Sequence, residues 1–198
     1  MGKKIFVLST RNRGKLREFK RIIDSINLVT LDEIGFEWNI KEVGETFCEN
    51  ALIKARFPHD ITGFPVISDD SGIVVPALGN SPGIYSARFA GENATDEENN
   101  KKLLKLVSRL PENQRSAYYF CCVAFCYDSR CVTFTGRVDG VITLEPRGEE
   151  GFGYDPLFYL PEYGRTMAEL SPEEKDRISH RGRAIRKLLE YLKRKGLL

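Results

Sequence analysis

The sequence lacks any apolar run near the roughly 18 residues a helix needs to cross a bilayer, so no membrane association is expected. No signal-peptide core follows Met1-Gly2-Lys3-Lys4, which leads straight into a short apolar segment, and a cytoplasmic protein is expected. An excess of charge is also missing: the formal net charge is only +2, so the whole-molecule field gives no reason to expect nucleic acid as a partner. Internal repeats, low-complexity tracts and linkers are absent, and the 198 residues are read as one domain, 1–198. The 41% hydrophobic and 29% charged fractions suit a soluble globular chain rather than a disordered one.

Cysteine is sparse and odd in number: Cys48, Cys121, Cys122, Cys126 and Cys131. No C-x-x-C pair occurs and no histidine is close by in the chain, which weakens a metal reading. On a strand, Cys121 and Cys122 would point to opposite faces, while Cys126 and Cys131 flank a turn at Asp128-Ser129-Arg130. Small buried thiols are expected, with a hairpin disulfide or a metal site as the alternatives.

The residues that are present alternate between strand and helix patterns. Ile5-Phe6-Val7-Leu8 reads as a strand buried on both faces. From Lys15, residues Leu16, Phe19, Ile22, Ile23 and Ile26 recur at helical spacing. Thr46 with Glu49 and Thr95 with Glu98 are capping-box pairs that open two further helices, the latter carrying Leu103 to Leu110 before Pro111 stops it. Phe64 to Ile67 reads as a strand running into a polar turn at Ser68–Gly72, and Ser116 to Thr135 as a hairpin. Ser171-Pro172-Glu173-Glu174 starts the last helical region, which breaks near Ser179-His180 and resumes with Ala184, Ile185, Leu188, Leu189 and Leu192. The expected fold is layered α/β, a central mixed β-sheet flanked by helices, in two lobes with the active-site cleft between them.

Four segments could carry chemistry. Thr10-Arg11-Asn12-Arg13-Gly14-Lys15 joins the first strand to the first helix, where backbone N–H groups and the helix dipole favour an anion, although it lacks the Walker pattern. Asp69 and Asp70 repel each other and need solvent, a cation or a donor. They form either an exposed turn or a metal site, and on a strand-like backbone one would face the ion and the other would not. Glu42 and Glu45 precede the second helix, where acidic residues suit the dipole, but either could join that site. Magnesium prefers one or two protein carboxylates together with waters and phosphate oxygens. Gly151-Phe152-Gly153-Tyr154-Asp155 places an aromatic ring between glycines and beside a carboxylate. That suits a purine clamp, or a tight turn whose rings pack inward. Lys175, His180 and Arg181 add donors near a helix break, and a lone histidine there could equally be a cap.

Taken in order, Thr10-x-Asn12-x-x-Lys15-x-x-Glu18, Glu42-x-Gly44-x-Thr46-Phe47-x-Glu49-Asn50-Ala51, Ser68-Asp69-Asp70-Ser71-Gly72, Pro82-Gly83-Ile84-Tyr85-Ser86-Ala87-Arg88, Gly151 to Pro156 and Ser179-His180-Arg181 resemble the inosine triphosphate pyrophosphatase family. The resemblance spans nearly the whole chain. It implies a magnesium-dependent homodimer that hydrolyses ITP, dITP and XTP to the nucleoside monophosphate and pyrophosphate, clearing deaminated purines from the nucleotide pool. By the same resemblance Thr10, Arg11, Asn12, Arg13, Gly14 and Lys15 would hold the triphosphate, and Glu42 and Asp70 would serve the metal. Asp70 would accept the proton of the attacking water, and Ser71 would touch substrate. Phe152, Gly153, Tyr154, Asp155, Lys175, His180 and Arg181 would frame the base, with Arg181 or His180 donating to its 6-keto oxygen. Arg11 stands where many relatives carry glycine. A related septum-inhibitor type of nucleotide pyrophosphatase is the nearest rival, and the Phe152–Asp155 and His180-Arg181 segments argue against it. A noncatalytic nucleotide sensor would be marked by a lost carboxylate, yet Glu42, Asp69 and Asp70 are all present.

Overall fold

The computed structural model describes residues 4–198; the lead Met1-Gly2-Lys3 lies outside them. In chain order the elements are β1 (Ile5–Ser9), α1 (Arg13–Ile22), β2 (Asn27–Thr30), α2 (Phe47–Thr62), β3 (Val66–Val75), β4 (Ser81–Pro82), α3 (Asp96–Val107), β5 (Ser116–Tyr127), β6 (Arg130–Ile142), β7 (Phe158–Leu160), β8 (Arg165–Thr166), α4 (Pro172–Ile178) and α5 (His180–Arg194). The strands form one mixed sheet in the order β2-β1-β3-β5-β6-β7-β8, with β4 also on β3. β1 runs parallel to β2 and β3, each reached by a helical crossover, whereas β7 is antiparallel to β6 and β8. This is the mixed sheet flanked by helices that the strand and helix patterns predict.

Two compact units divide the chain: residues up to 70, 121–136 and 181–198 form the first, and 71–120 and 137–180 the second. In the first, side-chain alternation assigns the helices to opposite sheet faces. Phe6, Leu8, Ile67, Cys121, Val123 and Phe125 pack with Phe19 of α1, with Ile23 just past its end, and with Ala184, Ile185 and Leu188 of α5. The residues between them point the other way, where the Ser68 hydroxyl donates to the Ala51 carbonyl of α2 (2.5 Å). In the second unit Ile73 and Val75 pack with Leu103 and Val107 of α3 and with Tyr154, Leu157 and Phe158.

The capping boxes at Thr46/Glu49, Thr95/Glu98 and Ser171/Glu174 form as read, and Asn12 caps α1. α3 ends at Val107, so Leu110 lies outside it. A larger difference concerns Ser68–Gly72, expected as a turn: β3 runs straight through it. Polar residues stay in a buried strand here because each meets a partner, and Gly72 is required because a Cβ would collide with Ser86 and Gly83.

The cysteines also depart from the expectation of thiols. Cys48 bonds to Cys122 and Cys126 to Cys131, leaving Cys121 as the free one. Strand alternation accounts for the split: Cys122 faces α2 and meets Cys48 in its first turn, while Cys121 faces α1 and α5. The hairpin alternative for Cys126 and Cys131 is the one that holds. Burial pushes the Cys121 thiol far up, with Asp69 beside it adding to the effect, which disfavours the thiolate.

Candidate active site

The parallel register pairs Ser9 with Ser68, so the turn after β1 emerges beside Asp69 and Asp70 of β3. In that turn Asn12 accepts from the Lys15 N–H (3.0 Å) and the Thr10 hydroxyl accepts from the Asn12 N–H (3.2 Å). Arg11, Asn12 and Arg13 are exposed, whereas Gly14 is buried in the first turn of α1. Arg11 donates to the Trp38 carbonyl (3.4 Å).

Asp69 and Asp70 face opposite sides of the strand and have opposite electrostatics. Asp69 Oδ2 meets Lys15 Nζ at 3.1 Å and Arg181 Nε at 3.2 Å. Arg181 Nη1 in turn meets Glu18 Oε2 of α1 at 2.5 Å, and all three of Glu18, Asp69 and Arg181 are buried. Burial opposes the Asp69 carboxylate, but Lys15, Arg181 and Lys54 outweigh it and hold its pKa far below the usual range. For Arg181 burial likewise opposes the charge, and Asp69 and Glu18 outweigh it.

Asp70 looks toward α2. Its Oδ1 lies 3.0 Å from Lys54 Nζ, which is also 3.0 Å from Glu42 Oε1. Burial pushes the Asp70 pKa up, Lys54 and Lys15 pull it back, and Glu42 raises it again. Burial works against the Lys54 ammonium, yet Asp70 and Glu42 carry its pKa above the ordinary value. Asn50 ties Asp70 to the segment that carries Glu42, donating to Asp70 Oδ2 (3.4 Å) and accepting from the Gly44 N–H (2.8 Å). Gly44 has no room for a Cβ, which would lie 2.7 Å from Glu49 Cβ and 2.8 Å from Asn50 Oδ1.

These oxygens suit a hard divalent cation. Glu42 and Asp70 already converge on one positive charge, and two carboxylates are what magnesium takes when phosphate oxygens and water complete its shell. Among the described residues no group of three or more His, Cys, Asp or Glu could hold a metal by itself, so such an ion would depend on substrate oxygens.

In the second unit Asp155 is buried and accepts from the Phe152 N–H (2.9 Å) and from Lys175 Nζ (2.5 Å). That ammonium lies 4.7 Å from the centre of the half-buried Phe152 ring, in cation–π range. Gly153 donates to Asp96 (2.7 Å), and its carbonyl accepts from Asn100 (2.8 Å). Tyr154 packs inward, its buried hydroxyl donating to the Ser86 carbonyl (2.8 Å). The buried His180 ring stacks on Tyr119 with centroids 4.5 Å apart. Ser71, half-buried, follows Asp70 in β3.

The sequence reading thus names Lys15, Glu42, Asp69, Asp70, Phe152, Asp155, Lys175, His180 and Arg181, and misses the groups that organise them. Lys54 and Asn50 were legible in principle: they are polar, four apart, on a helix whose neighbouring Ala51 and Ala55 are buried. Asp96 and Asn100 give no comparable signal, since polar residues in a first helical turn are ordinary.

Residues 6–191 match the sequence profile of the Ham1 family. The chain is 48% identical over 194 residues to a dITP/XTP pyrophosphatase of Geobacter sulfurreducens, covering 96% of this chain and 98% of that protein. It is 44% identical over 192 residues to the dITP/XTP pyrophosphatase of Escherichia coli K12, covering 94% and 97%. The solved structure of the Staphylococcus aureus Ham1 protein superposes with a TM-score of 0.88 at 40% identity, covering 97% of this chain and all of that one. With a match that runs from β1 to α5 in both sequence and fold, the chain belongs to the Ham1 family.

Proposed function

We propose that the protein is a nucleoside triphosphate pyrophosphohydrolase acting on ITP, dITP and XTP, and releasing the nucleoside monophosphate and pyrophosphate. The observation that carries this reading is the convergence of Glu42 and Asp70 on one cation, beside a strand-to-helix turn that carries Lys15. Relatives named dITP/XTP pyrophosphatase at 44–48% identity support the substrate class. Magnesium dependence, homodimeric assembly, a cytoplasmic location and a role in cleansing the nucleotide pool belong to the same reading.

The first unit carries the phosphate-directed groups. Lys15 and the backbone N–H groups of the Thr10–Gly14 turn neutralise and orient the triphosphate, and Asp69 keeps the Lys15 ammonium in place. Asp70 takes the proton of the water that attacks the α-phosphorus, and Lys54 holds that carboxylate in position. Magnesium held by Glu42 and Asp70 would polarise the phosphate oxygens. Ser71 follows Asp70 directly and contacts the substrate. The second unit carries the base-directed groups. Phe152 stacks on the purine, and Asp155, fixed by Lys175, accepts a base N–H. A 6-keto oxygen accepts from His180 of this unit, or from Arg181, the first residue of the first unit's last segment, where the 6-amino group of adenine leaves a donor unpaired at a cost of about 1–3 kcal/mol.

Product identification tests the reading. With magnesium, ITP, XTP and dITP should yield pyrophosphate and monophosphate as first products, well ahead of GTP, ATP and dTTP; orthophosphate as the first product rejects the reaction class. Phe152→Ala should raise KM for ITP roughly tenfold, since a base stacked on an aromatic ring is worth about 1–3 kcal/mol. An unchanged KM removes Phe152 from the clamp.

A further inference from the structure

Several features of the first unit take no part in this chemistry and meet at one place, the turn between β5 and β6. His59, near the end of α2, has Nδ1 2.6 Å from the Phe64 carbonyl and Nε2 2.5 Å from the Asp128 carbonyl. Asp128 takes a left-handed conformation, φ 52°, as the first position of a tight hairpin turn does. The Cys126–Cys131 disulfide ties the two strands just behind it. Two pins on a two-residue surface turn exceed what a simple hairpin needs.

Beside the pinned turn lies a cavity of about 480 Å³, lined by Phe125, Tyr127, Arg130, Val132, Tyr191 and Lys195 among others. This falls inside the range of about 300–1,000 Å³ that small-molecule sites occupy. The Phe125 and Tyr127 rings lie parallel within 6°, and Tyr191 meets Phe125 edge-on at 6.4 Å. Arg130 and Lys195 are exposed, and among the described residues neither forms an ion pair. Lys4 adds a further cation, 4.3 Å over the Tyr127 ring and 2.9 Å from its hydroxyl. Asp128 is the one acidic residue in the lining.

We infer that this cavity is a second ligand site, taking a planar aromatic ring that carries one phosphate, the class of a nucleoside monophosphate. The half-buried Tyr127 and Tyr191 can offer aromatic surface to a ring of any base identity, because every base has a π-face, whereas Phe125 is buried in the core. Arg130, Lys195 and Lys4, offset by Asp128, leave two net positive charges, which match a single phosphate, whereas a triphosphate exceeds them and a bare nucleoside leaves them unanswered. A wall held in advance by His59 and the disulfide reduces the ordering that binding would otherwise require.

The test uses the intact protein, with AMP as the probe. Its 6-amino group is the one the proposed purine clamp rejects, so the outcome does not depend on the catalytic reading. In a two-dimensional amide NMR titration, AMP should shift the resonances of residues 128–130 and 191–197 saturably. The double variant R130A/K195A should weaken that binding at least tenfold, and R130K/K195R should retain it. Adenosine and inorganic phosphate should each bind at least tenfold more weakly than AMP. Pyrophosphate release from ITP should be unaltered in the double variant, as neither residue belongs to the active site. Absence of saturable shifts at those amides, equal binding of adenosine or phosphate, or AMP binding indifferent to R130A/K195A overturns the inference.

Discussion

Asp70→Asn is expected to lower pyrophosphate release from ITP about a thousandfold, in line with the 10²–10⁴ a positioned general base contributes. The loss should fall on kcat, because the Thr10–Lys15 turn and Phe152, to which we assign substrate binding, are untouched. Asparagine keeps the shape and can still bond Asn50, but it cannot take a proton from water and gives Lys54 no counter-charge. Folding should not suffer. Burial opposes the Asp70 charge, pushing its pKa up despite Lys54, so the fold holds that charge at a cost and a neutral side chain relieves it. The expected pair of results is therefore a collapse in kcat with a melting temperature equal to or above that of the parent. Near-normal turnover would remove Asp70 from the role of base, and a large loss of stability would show that its charge supports the fold instead.

Arg181→Ala should have the opposite profile, with its main effect on stability. Arg181 is buried against Glu18 and Asp69, and its removal leaves two carboxylates short of a partner inside the fold. Breaking a buried ion pair by deleting one partner typically costs about 3–5 kcal/mol. For a chain of this size roughly 2–4 °C is lost per kcal/mol, so the melting temperature should fall by about 10 °C. Arg181→Lys should recover only part of this, because an ammonium cannot present the planar fork that reaches both oxygens. A melting temperature within a degree of the parent would show that the cluster contributes nothing net.

The acid limb of stability follows from the same cluster. Asp69 has a folded pKa below its unfolded value of about 3.9. A carboxylate depressed in this way stabilises the fold fully above that unfolded value, and its contribution disappears as the pH falls toward the folded value. Stability of the parent should accordingly decline below about pH 4, and the decline should be shallower in Arg181→Ala, where less depression remains to be lost. Equal slopes for the two proteins below pH 4 would contradict this.

Much of the fold was legible because much of it is local. A capping box depends on residues three apart, so Thr46/Glu49, Thr95/Glu98 and Ser171/Glu174 could be read directly. The apolar spacing of α1 and α5 and the continuous run in β1 are local in the same sense. The family was legible too, since ordered short segments carried the resemblance. Where the reading failed, the deciding contact lay far away in the chain. Ser68–Gly72 has the composition of a turn and is a strand, because Lys15, Lys54 and Arg181 satisfy carboxylates that composition alone would leave in solvent. The cysteines were expected as thiols, because nothing near Cys122 in the chain announces Cys48, 74 residues away.

Local patterns in the chain were enough for β1, the capped helices, the mixed sheet between helices and the family, since these rest on periodicity, caps and ordered motifs. How the labour divides depends on the fold. The Ser9–Ser68 register places the Thr10–Gly14 turn beside the aspartates, and strand alternation sends Asp69 to Arg181 and Asp70 to Lys54 and Asn50. Neighbours in the chain thereby acquire opposite electrostatic surroundings. The physical reason is that pKa, burial and partner choice are set by groups packed across the sheet, 112 residues away in the case of Arg181 and Asp69, and no local pattern encodes a contact of that span.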